Sequence, residues 1–507
     1  MNEKMRESLN EISDKHISEA ADYRRRKPYW LGAVAAMLAA VILLGVFWKP
    51  IAEMPPIATQ PGTQPPLIIR PNTPLIRPGA IQVPSKLELI NLVNTITYPT
   101  MAACPDFSDY SNDYKAYNEA YNAWTDSRKS QHNQPDGYAD NLTDFFSRSI
   151  SRFLQGDGNR AYSPLNYYMA LSILAETAQG DSRQQILDLL GIDSIEALRT
   201  QVGHVWNAHY NNDGKNTTLL SNSLWLDDAY QFHQTTIDTL GNYHHASIFH
   251  GDLGTESLNQ QLRSWINSQT GGLLENQTQH IELDPDTVFA LCSTIYFKST
   301  WVNTFSKDAT KNAIFHCTDK DISTPFMNDS FSSTYYRGEN FGAIQLPLSD
   351  GSSMWLILPD KGSTVQDILA GNEYLQMTLD PDHWDHSERR IINLSMPKFD
   401  ISSQTDLIEG TKELGVTDVF SAANADLKNL VDLSDTEAAN VYVKQIKHGV
   451  RIAIDEEGIA AAAYTVMLPA GALPPPETLE FTLDRPFLFV VSSEDHLPLF
   501  AGTVMEP

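Results

Sequence analysis

The chain has 507 residues, 42% of them hydrophobic and 10% aromatic, enough to bury a substantial core and too apolar for a disordered chain. Its 36 Lys and Arg stand against 63 Asp and Glu, a formal charge of -27, which excludes nucleic acid as an expected partner and disfavours heparin-like polyanions, because both need a basic surface. The three cysteines, Cys104, Cys292 and Cys317, are odd in number and share no metal-ligand spacing, so neither a disulfide framework nor a thiolate metal site is expected.

Residues Trp30 to Trp48 carry no charge, are closed at each end by Trp and follow Arg24, Arg25, Arg26 and Lys27. At 1.5 Å per residue such a helix spans ~28 Å, close to one hydrocarbon core. The reading is an uncleaved single-pass anchor: 1–27 a cytoplasmic tail held inside by its basic cluster, 28–48 the transmembrane helix, and the remainder extracellular. That remainder holds 29 basic and 57 acidic residues and is strongly acidic. Residues 49–83 are rich in Pro (Pro55, Pro56, Pro61, Pro65, Pro66, Pro71, Pro74, Pro78) and poor in charge, as in a semi-rigid extended spacer.

Residues 84–139 form an extension in which Tyr110, Tyr114, Tyr117, Tyr121 and Trp124 recur every three or four positions, predicting a helix with one aromatic face that packs on the next domain. Residues 140–507 read as one compact α+β unit. Helices are predicted over Leu142–Leu154, over Leu165–Gln179 opened by Ser163-Pro164 and stopped by Gly180, and over Arg183–Leu190 ending at Gly191. Strands are predicted over Thr218–Leu226, Val288–Phe297, Met354–Leu358, Arg390–Phe399, Val441–Ile454, Phe481–Leu483 and Phe487–Val491, the last apolar on both faces and therefore fully buried. Cys292, inside an apolar run, reads as a buried and inert thiol.

Between the last two groups of strands lies EEGIAAAAYTVMLPAGALPPPE, Glu456 to Glu477. A connection this long inside a compact domain is uncommon. Its first half is small and permissive (Gly458, Ala460, Ala461, Ala462, Ala463), and its second half holds Pro469 and Pro474, Pro475 and Pro476, which cannot continue a helix or donate to a central ladder. By composition alone the segment fits an exposed linker as well as a loop able to become a strand.

EEGIAAAAYT resembles the hinge of the serpin family. The resemblance runs through residues 140–507: YSPLNYYMALSILAETAQG is similar to the family's second helix, TVFALCSTIYFKSTWVNTF to its central strand and breach, and MPKF, ADLKNL and DRPFLFVVSSEDHLPLFAGTVMEP to later motifs in the same order. The anchor and spacer suggest a membrane-anchored member of bacterial type. The resemblance implies an α+β serpin fold, with three β-sheets, about eight to nine helices and an exposed reactive-centre loop, behind an N-terminal transmembrane helix. It also implies a suicide inhibitor: a target serine protease attacks the loop, forms an acyl-enzyme, and is trapped when the cleaved loop enters a five-stranded sheet as a new strand. No catalytic residue, cofactor or metal is required of the chain, and no Gly-x-Ser-x-Gly, His-Glu-x-x-His or phosphate loop occurs.

Carried over residue by residue, the hinge is Glu456, Glu457, Gly458, Ile459, Ala460, Ala461, Ala462, Ala463 and Thr465. The scissile bond falls fourteen residues past Gly458, between Ala472 and Leu473, with Ala470 and Met467 as fallback positions. Ala at that place suits a shallow apolar pocket, hence elastase-like or subtilisin-like targets, with cysteine proteases secondary. Ile459, Ala461, Ala463 and Thr465 share one face of an inserted strand; the family usually has Thr, Ser or Val where Ile459 stands. Lys398 and Glu456 match the breach pair over Trp301. Ser163 and His448 match the mid-sheet shutter, where Asn166 replaces a usual Ser and Ser293 a usual Asn. The exchange leads us to expect that Asn166 hydrogen-bonds His448 and that Asn166→Ser with Ser293→Asn would compensate each other. The clustered His244, His245, His250, His383 and His386 read as surface residues rather than a zinc site. The rival function is a non-inhibitory serpin, a binding or scaffold protein whose loop is only a substrate.

Overall fold

The computed structural model describes residues 92–94, 98, 101–110, 113–434, 440–459 and 477–507. The expected tail, membrane span, spacer and loop residues 460–476, including Ala460, Ala461, Ala462, Ala463, Thr465, Ala472 and Leu473, lie outside the described residues. Among those described, no helix is long and apolar enough to cross a membrane.

The helices come first. α1, Tyr114–His132, begins at an Asp113 cap whose carboxylate accepts from the amides of Lys115 and Ala116. α2, Leu142–Phe153, buries Leu142, Phe145, Phe146, Ser149, Ile150 and Phe153, one face at helical spacing. α3, Pro164–Thr177, is buried along its whole length; Ser163 caps it by accepting from the Asn166 amide, and Pro164 supplies the preset first turn. α4, Gly180–Leu190, stops at Gly191 in the left-handed conformation. Gly180 therefore opens a helix rather than stopping one: the break falls at the extended Ala178 and Gln179. α5, Ile195–His209, follows a Ser194 cap.

Next comes the central sheet, built from β1 Thr217–Asp227, β2 Ala246–Gly251, β3 Phe289–Thr300, β4 Phe399–Asp406 and β5 Ile446–Ile454. Two helices intervene in the chain, α6 Gln234–His244 before β2 and α7 Glu256–Gln269 after it. The long strands run β2-β1-β3-β5-β4, with the short pieces Leu92–Asn94, Asn211–Asn212 and β6, Gly458–Ile459, added to them. β1 and β3 are antiparallel, β5 and β4 are antiparallel, and β3 and β5 run parallel.

A second sheet of nine strands is centred on Asp321–Arg337, Ser387–Pro397, Ser353–Pro359 and Phe487–Ser492, and a third is the pair Gln231–Phe232 and Val431–Asp432. Phe487–Ser492 is buried at every residue, as its two apolar faces predict. The number of sheets is the expected one. Helical segments exceed the expected eight to nine because several are short, such as Glu275–Thr278, Val365–Gly371, Glu373–Leu379 and Ile408–Glu413.

Two predicted strands shift. Arg390–Phe399 is two strands broken at Lys398. Of Val441–Ile454 only Ile446–Ile454 joins the sheet, since the Val443 amide donates to the Val419 carbonyl instead. The extension reaches the body through backbone, in the Leu92–Asn94 strand and the Cys104 amide bonded to the Asp213 carbonyl, and through side chains: Trp124 is buried, Arg128 donates to the Asp350 carbonyl, and the Tyr98 ring stacks on Tyr210 at 5.6 Å between centroids. The aromatic face is only partly covered, for Tyr114 and Tyr121 are exposed.

Candidate functional site

The candidate site lies where β5 turns back on itself. Asp455 forms the turn: its carboxylate accepts from the amides of Glu457 and Gly458, at 2.8 and 3.2 Å. Its own amide donates to the Gly458 carbonyl. An Asp that bonds backbone two and three residues on is a turn former, so the reversal is local chemistry.

Gly458 sits at φ +151, and a Cβ there would lie 2.4 Å from the Ser299 carbonyl oxygen and 2.7 Å from the Thr300 Cα. Only glycine fits, for backbone conformation and for space. Past it, Ile459 is paired with Ser299 on one side and Ile454 on the other, and is 1% exposed. β6 thus occupies the top of the seam between β3 and β5, antiparallel to both. Lower down no strand separates them: Ile446, Lys447, His448 and Gly449 pair directly with Leu291, Cys292, Ser293 and Thr294.

A strand continuing from Ile459 down the seam would replace one parallel ladder by two antiparallel ones. Parallel pairing is the weaker per residue, and each added strand residue gains backbone hydrogen bonds on both edges. Burying Ile459 itself is worth ~1.5–3 kcal/mol. The first β-branched side chain of the hinge, Ile459, is thus already inside the sheet.

Above the turn, Lys398 and Glu456 meet at 2.7 Å. The second Glu456 oxygen accepts from Thr310 Oγ1 at 2.8 Å, and Glu456 is 6% exposed. Burial pushes its carboxyl up, but the bonds from Lys398 and Thr310 outweigh that and hold it below the ordinary carboxylate range. Trp301, buried beside them, donates its indole N–H to the Asp455 carbonyl at 2.9 Å, and its amide to the Glu457 carbonyl. The Phe305 amide donates to the Glu456 carbonyl. Glu457 pairs with the exposed Lys307. The breach residues Trp301, Lys398 and Glu456 are therefore one cluster, and Asp455, Thr310 and Phe305 belong to it. Asp455 could have been found as a turn signal before Glu-Glu-Gly; the other two carry no signal of their own.

The shutter differs from expectation. Ser163, Asn166, Ser293 and His448 do converge beneath the seam, but Asn166 does not reach His448. Nε2 of His448 accepts from the Ser163 main-chain N–H at 3.1 Å, and Ser293 Oγ donates to the Asn166 carbonyl at 3.3 Å. The reason is the helix end: Ser163 Oγ is engaged by the Asn166 amide as a cap, which turns the free Ser163 N–H, one of the orphan donors of a helix start, toward the histidine. The Asn166 carboxamide and His448 Nδ1 have no partner among the described residues. Burial holds His448 down to about 4. Asn222, opposite Ser293 on β1, is also buried with an amide unpartnered among the described residues, and no pattern in the chain singles it out.

Two further expectations are settled by burial. His244 is no surface residue: it is fully buried, with Nδ1 3.0 Å from Ser172 Oγ and Nε2 3.3 Å from Glu176, while His245 stacks on Trp206. Ser172, His244 and Glu176 mimic the order of a hydrolytic triad, but no substrate reaches them and Arg199 neutralises Glu176 through two hydrogen bonds. Cys292 is buried, and burial pushes its thiol up to about 12, so it is inert at neutral pH.

Comparison with known proteins gives a family profile described as "Serpin (serine protease inhibitor)" that matches residues 140–507. Among curated relatives, Serpin-Z2B of Triticum aestivum is 28% identical over 366 residues, covering 69% of this chain and 90% of that protein. Alpha-1-antiproteinase 2 of Equus caballus is 28% identical over 385 residues, covering 73% and 87%. Among solved structures, the thermophilic serpin tengpin in its native state superposes with a TM-score of 0.67 at 24% identity, covering 74% of this chain and 95% of that one. Human thyroxine-binding globulin in its thyroxine complex gives 0.64 at 21%, covering 73% of this chain and 98% of that one.

Proposed function

This chain belongs to the serpin family, and we propose that it is a suicide inhibitor of serine proteases, displayed on the outer face of a membrane. The observation that carries the reading is the occupied top of the seam: β6 has entered between β3 and β5 while the strands below still pair with each other. An inhibitor of this kind needs a sheet that accepts a strand, a loop that starts at the right place, and small residues to follow. The first two are supported by the β6 pairing, and the sequence supplies the third in Ala460 to Ala463.

The chemistry belongs to the protease. Its serine oxygen adds to the Ala472 carbonyl, the bond to Leu473 breaks, the new amine leaves with a proton, and the loop stays attached as an ester. Insertion of the hinge side then draws the enzyme along the sheet before water cleaves the ester. This chain supplies positioning and folding free energy and has no catalytic group of its own. Ala472 suits elastase-like and subtilisin-like pockets, with cysteine proteases as secondary targets. The partition we propose is a cytoplasmic tail at 1–27, a single span at 28–48, a spacer at 49–83, an extension at 84–139 packed on the body, and the inhibitory domain at 140–507.

The test mixes the full-length chain with an elastase-like and a subtilisin-like protease and reads a denaturing gel and intact mass. A covalent complex with a released peptide starting at Leu473 supports the reading and fixes the bond. Cleavage without complex across several proteases overturns it in favour of a non-inhibitory serpin whose loop is a substrate. A charged hinge variant, Ala461→Arg, separates the two further: it should convert an inhibitor into a substrate, because an Arg on the Ile459 face cannot enter the core.

A further inference from the structure

A cavity of about 380 Å3 lies between the end of α1, the end of α5 and the loops that carry Asp350 and Glu494. Seven titratable side chains line it: Arg128, Lys129 and His132 from α1, His209 from α5, and Asp350, Glu494 and Asp495 from the loops. Most of this charge is spent internally. Arg128 lies 3.6 Å from Glu494 and donates to the Asp350 main-chain carbonyl. His209 lies 3.3 Å from Asp495, whose other contacts are the hydroxyls of Ser493 and Tyr138.

That leaves one cation and one anion, Lys129 and Asp350, with no direct ion pair among the described residues, Arg128 acting on Asp350 only through space. Lys129 is exposed at the mouth. Asp350 is buried and is met only by the hydroxyls of Ser299, at 2.9 Å, and Ser352, and by the Ser352 amide. Burial raises its carboxyl above the ordinary range, outweighing the bonds from Ser352 and Ser299 and the nearby charge of Arg128.

A second observation points into the same space. Asn211 lines the cavity, is 2% exposed, and neither atom of its carboxamide has a partner among the described residues. Nε of Arg128 and Nε2 of His132, both on α1, are likewise buried and unpartnered among the described residues. Buried polar groups are ordinarily hydrogen-bonded, and here donors and acceptors left unmet belong to residues that line one cavity.

We propose that this cavity binds a small zwitterion of the amino-acid or dipeptide class. Its carboxylate meets Lys129 and the Arg128 Nε–H, its ammonium meets Asp350, and its remaining polar atoms meet the Asn211 amide. A simple anion would lie against Asp350, and a simple cation against Lys129 and Arg128; only a ligand carrying both charges answers both leftover groups. One wall is α1, which lies outside the family-matched residues 140–507, so the site is particular to a chain with this extension. A ligand held between α1 and the body stabilises the folded chain by mass action.

The experiment is calorimetric titration and thermal unfolding of the full-length chain with glycine, L-alanine, L-glutamate and glycylglycine, and with acetate and methylammonium as single-charge controls. At least one zwitterion should saturate with a Kd below ~1 mM and raise the unfolding temperature, neither control competing, and Lys129→Ala should weaken binding ~10-fold or more. Asn211→Leu should do the same; if it fails to fold, Lys129→Ala on an exposed side chain carries the test, with Lys129→Arg restoring affinity. No saturation by any probe below ~10 mM, acetate binding as tightly as glycine, or unchanged affinity in Lys129→Ala would each overturn the proposal. None of these readouts depends on protease inhibition.

Discussion

His448 on β5 is held by the main-chain N–H of Ser163 at the start of α3, at 3.1 Å, across the underside of the central sheet. A neutral imidazole with its acceptor nitrogen on a backbone donor has no room for a second proton on that nitrogen. Protonation and this contact exclude each other.

The consequence is a dependence of stability on pH. The folded His448 is held down to about 4, against about 6.5 for a free histidine. Between those values the unfolded chain binds the extra proton and the folded chain does not. Stability conferred by the neutral form is therefore present above pH ~6.5 and is lost as the pH falls toward 4, with a slope of up to ~1.4 kcal/mol per unit. His132 and His245 are also held down to about 4 by burial and act in the same direction. Urea unfolding from pH 7 to 4 should show the decline, and His448→Gln should remove one proton from its slope. An unchanged slope in that variant would place the titration elsewhere.

Asn166 tests the other half of the shutter. Its buried carboxamide makes no bond to His448, so replacing it with Leu, of similar size, deletes two unmet polar atoms. We expect Asn166→Leu to be neutral or stabilising by ~1 kcal/mol in urea unfolding. Asn166→Ser and Ser293→Asn should then add rather than compensate, because the Ser293 hydroxyl meets only the Asn166 main-chain carbonyl, which the change at 166 leaves in place. A loss of more than ~1 kcal/mol in Asn166→Leu would reveal a partner such as a buried water.

Gly458→Ala puts a methyl group 2.4 Å from the Ser299 oxygen. The strain of ~1–3 kcal/mol should expel β6 from the seam. Amide exchange at Ile459 should quicken, and in titration with a protease more inhibitor should be cleaved per molecule trapped. Unaltered exchange would show that the strand tolerates a side chain there.

Lys398→Met leaves the Glu456 carboxylate buried with the Thr310 hydroxyl as its side-chain partner. Removing one member of a nearly buried pair should cost ~1–3 kcal/mol in thermal or urea unfolding. Glu456→Gln, which keeps a polar group facing both Lys398 and Thr310, should cost less. The order of the two variants is the measurement, and a larger loss in Glu456→Gln would mean that packing rather than charge holds the top of the sheet.

What could be read from the sequence was what is written locally. Ser163-Pro164 declares the start of α3, and the doubly apolar Phe487–Val491 declares a buried strand, because capping and hydrophobic runs act over a few residues. The 17-residue strand Asp321–Arg337 was invisible: DISTPFMNDSFSSTYYR is polar on much of its length and becomes a strand because Ser387–Pro397 pairs with Phe326–Tyr336 and Lys311–His316 with Asp321–Phe326. The breach trio was legible through family likeness, whereas the Asn166 contact failed because likeness assigns residues, not rotamers, and the cap of α3 had already fixed which donor faced His448. The cavity beside Asn211 was beyond sequence altogether, since its walls come from five separate stretches of chain.

The pair between Ile459 and Ser299 also acts as a phase reference. Once that first residue is engaged, the alternation of any strand that follows is set: Ala461, Ala463 and Thr465 take its face, and Ala460, Ala462 and Tyr464 the other. Residues added or lost toward Pro474 would move the cleavage point along the polypeptide but could not change which side chains go inward near the hinge. Specificity for an enzyme and compatibility with the sheet are thereby written in different parts of one segment, free to diverge at different rates.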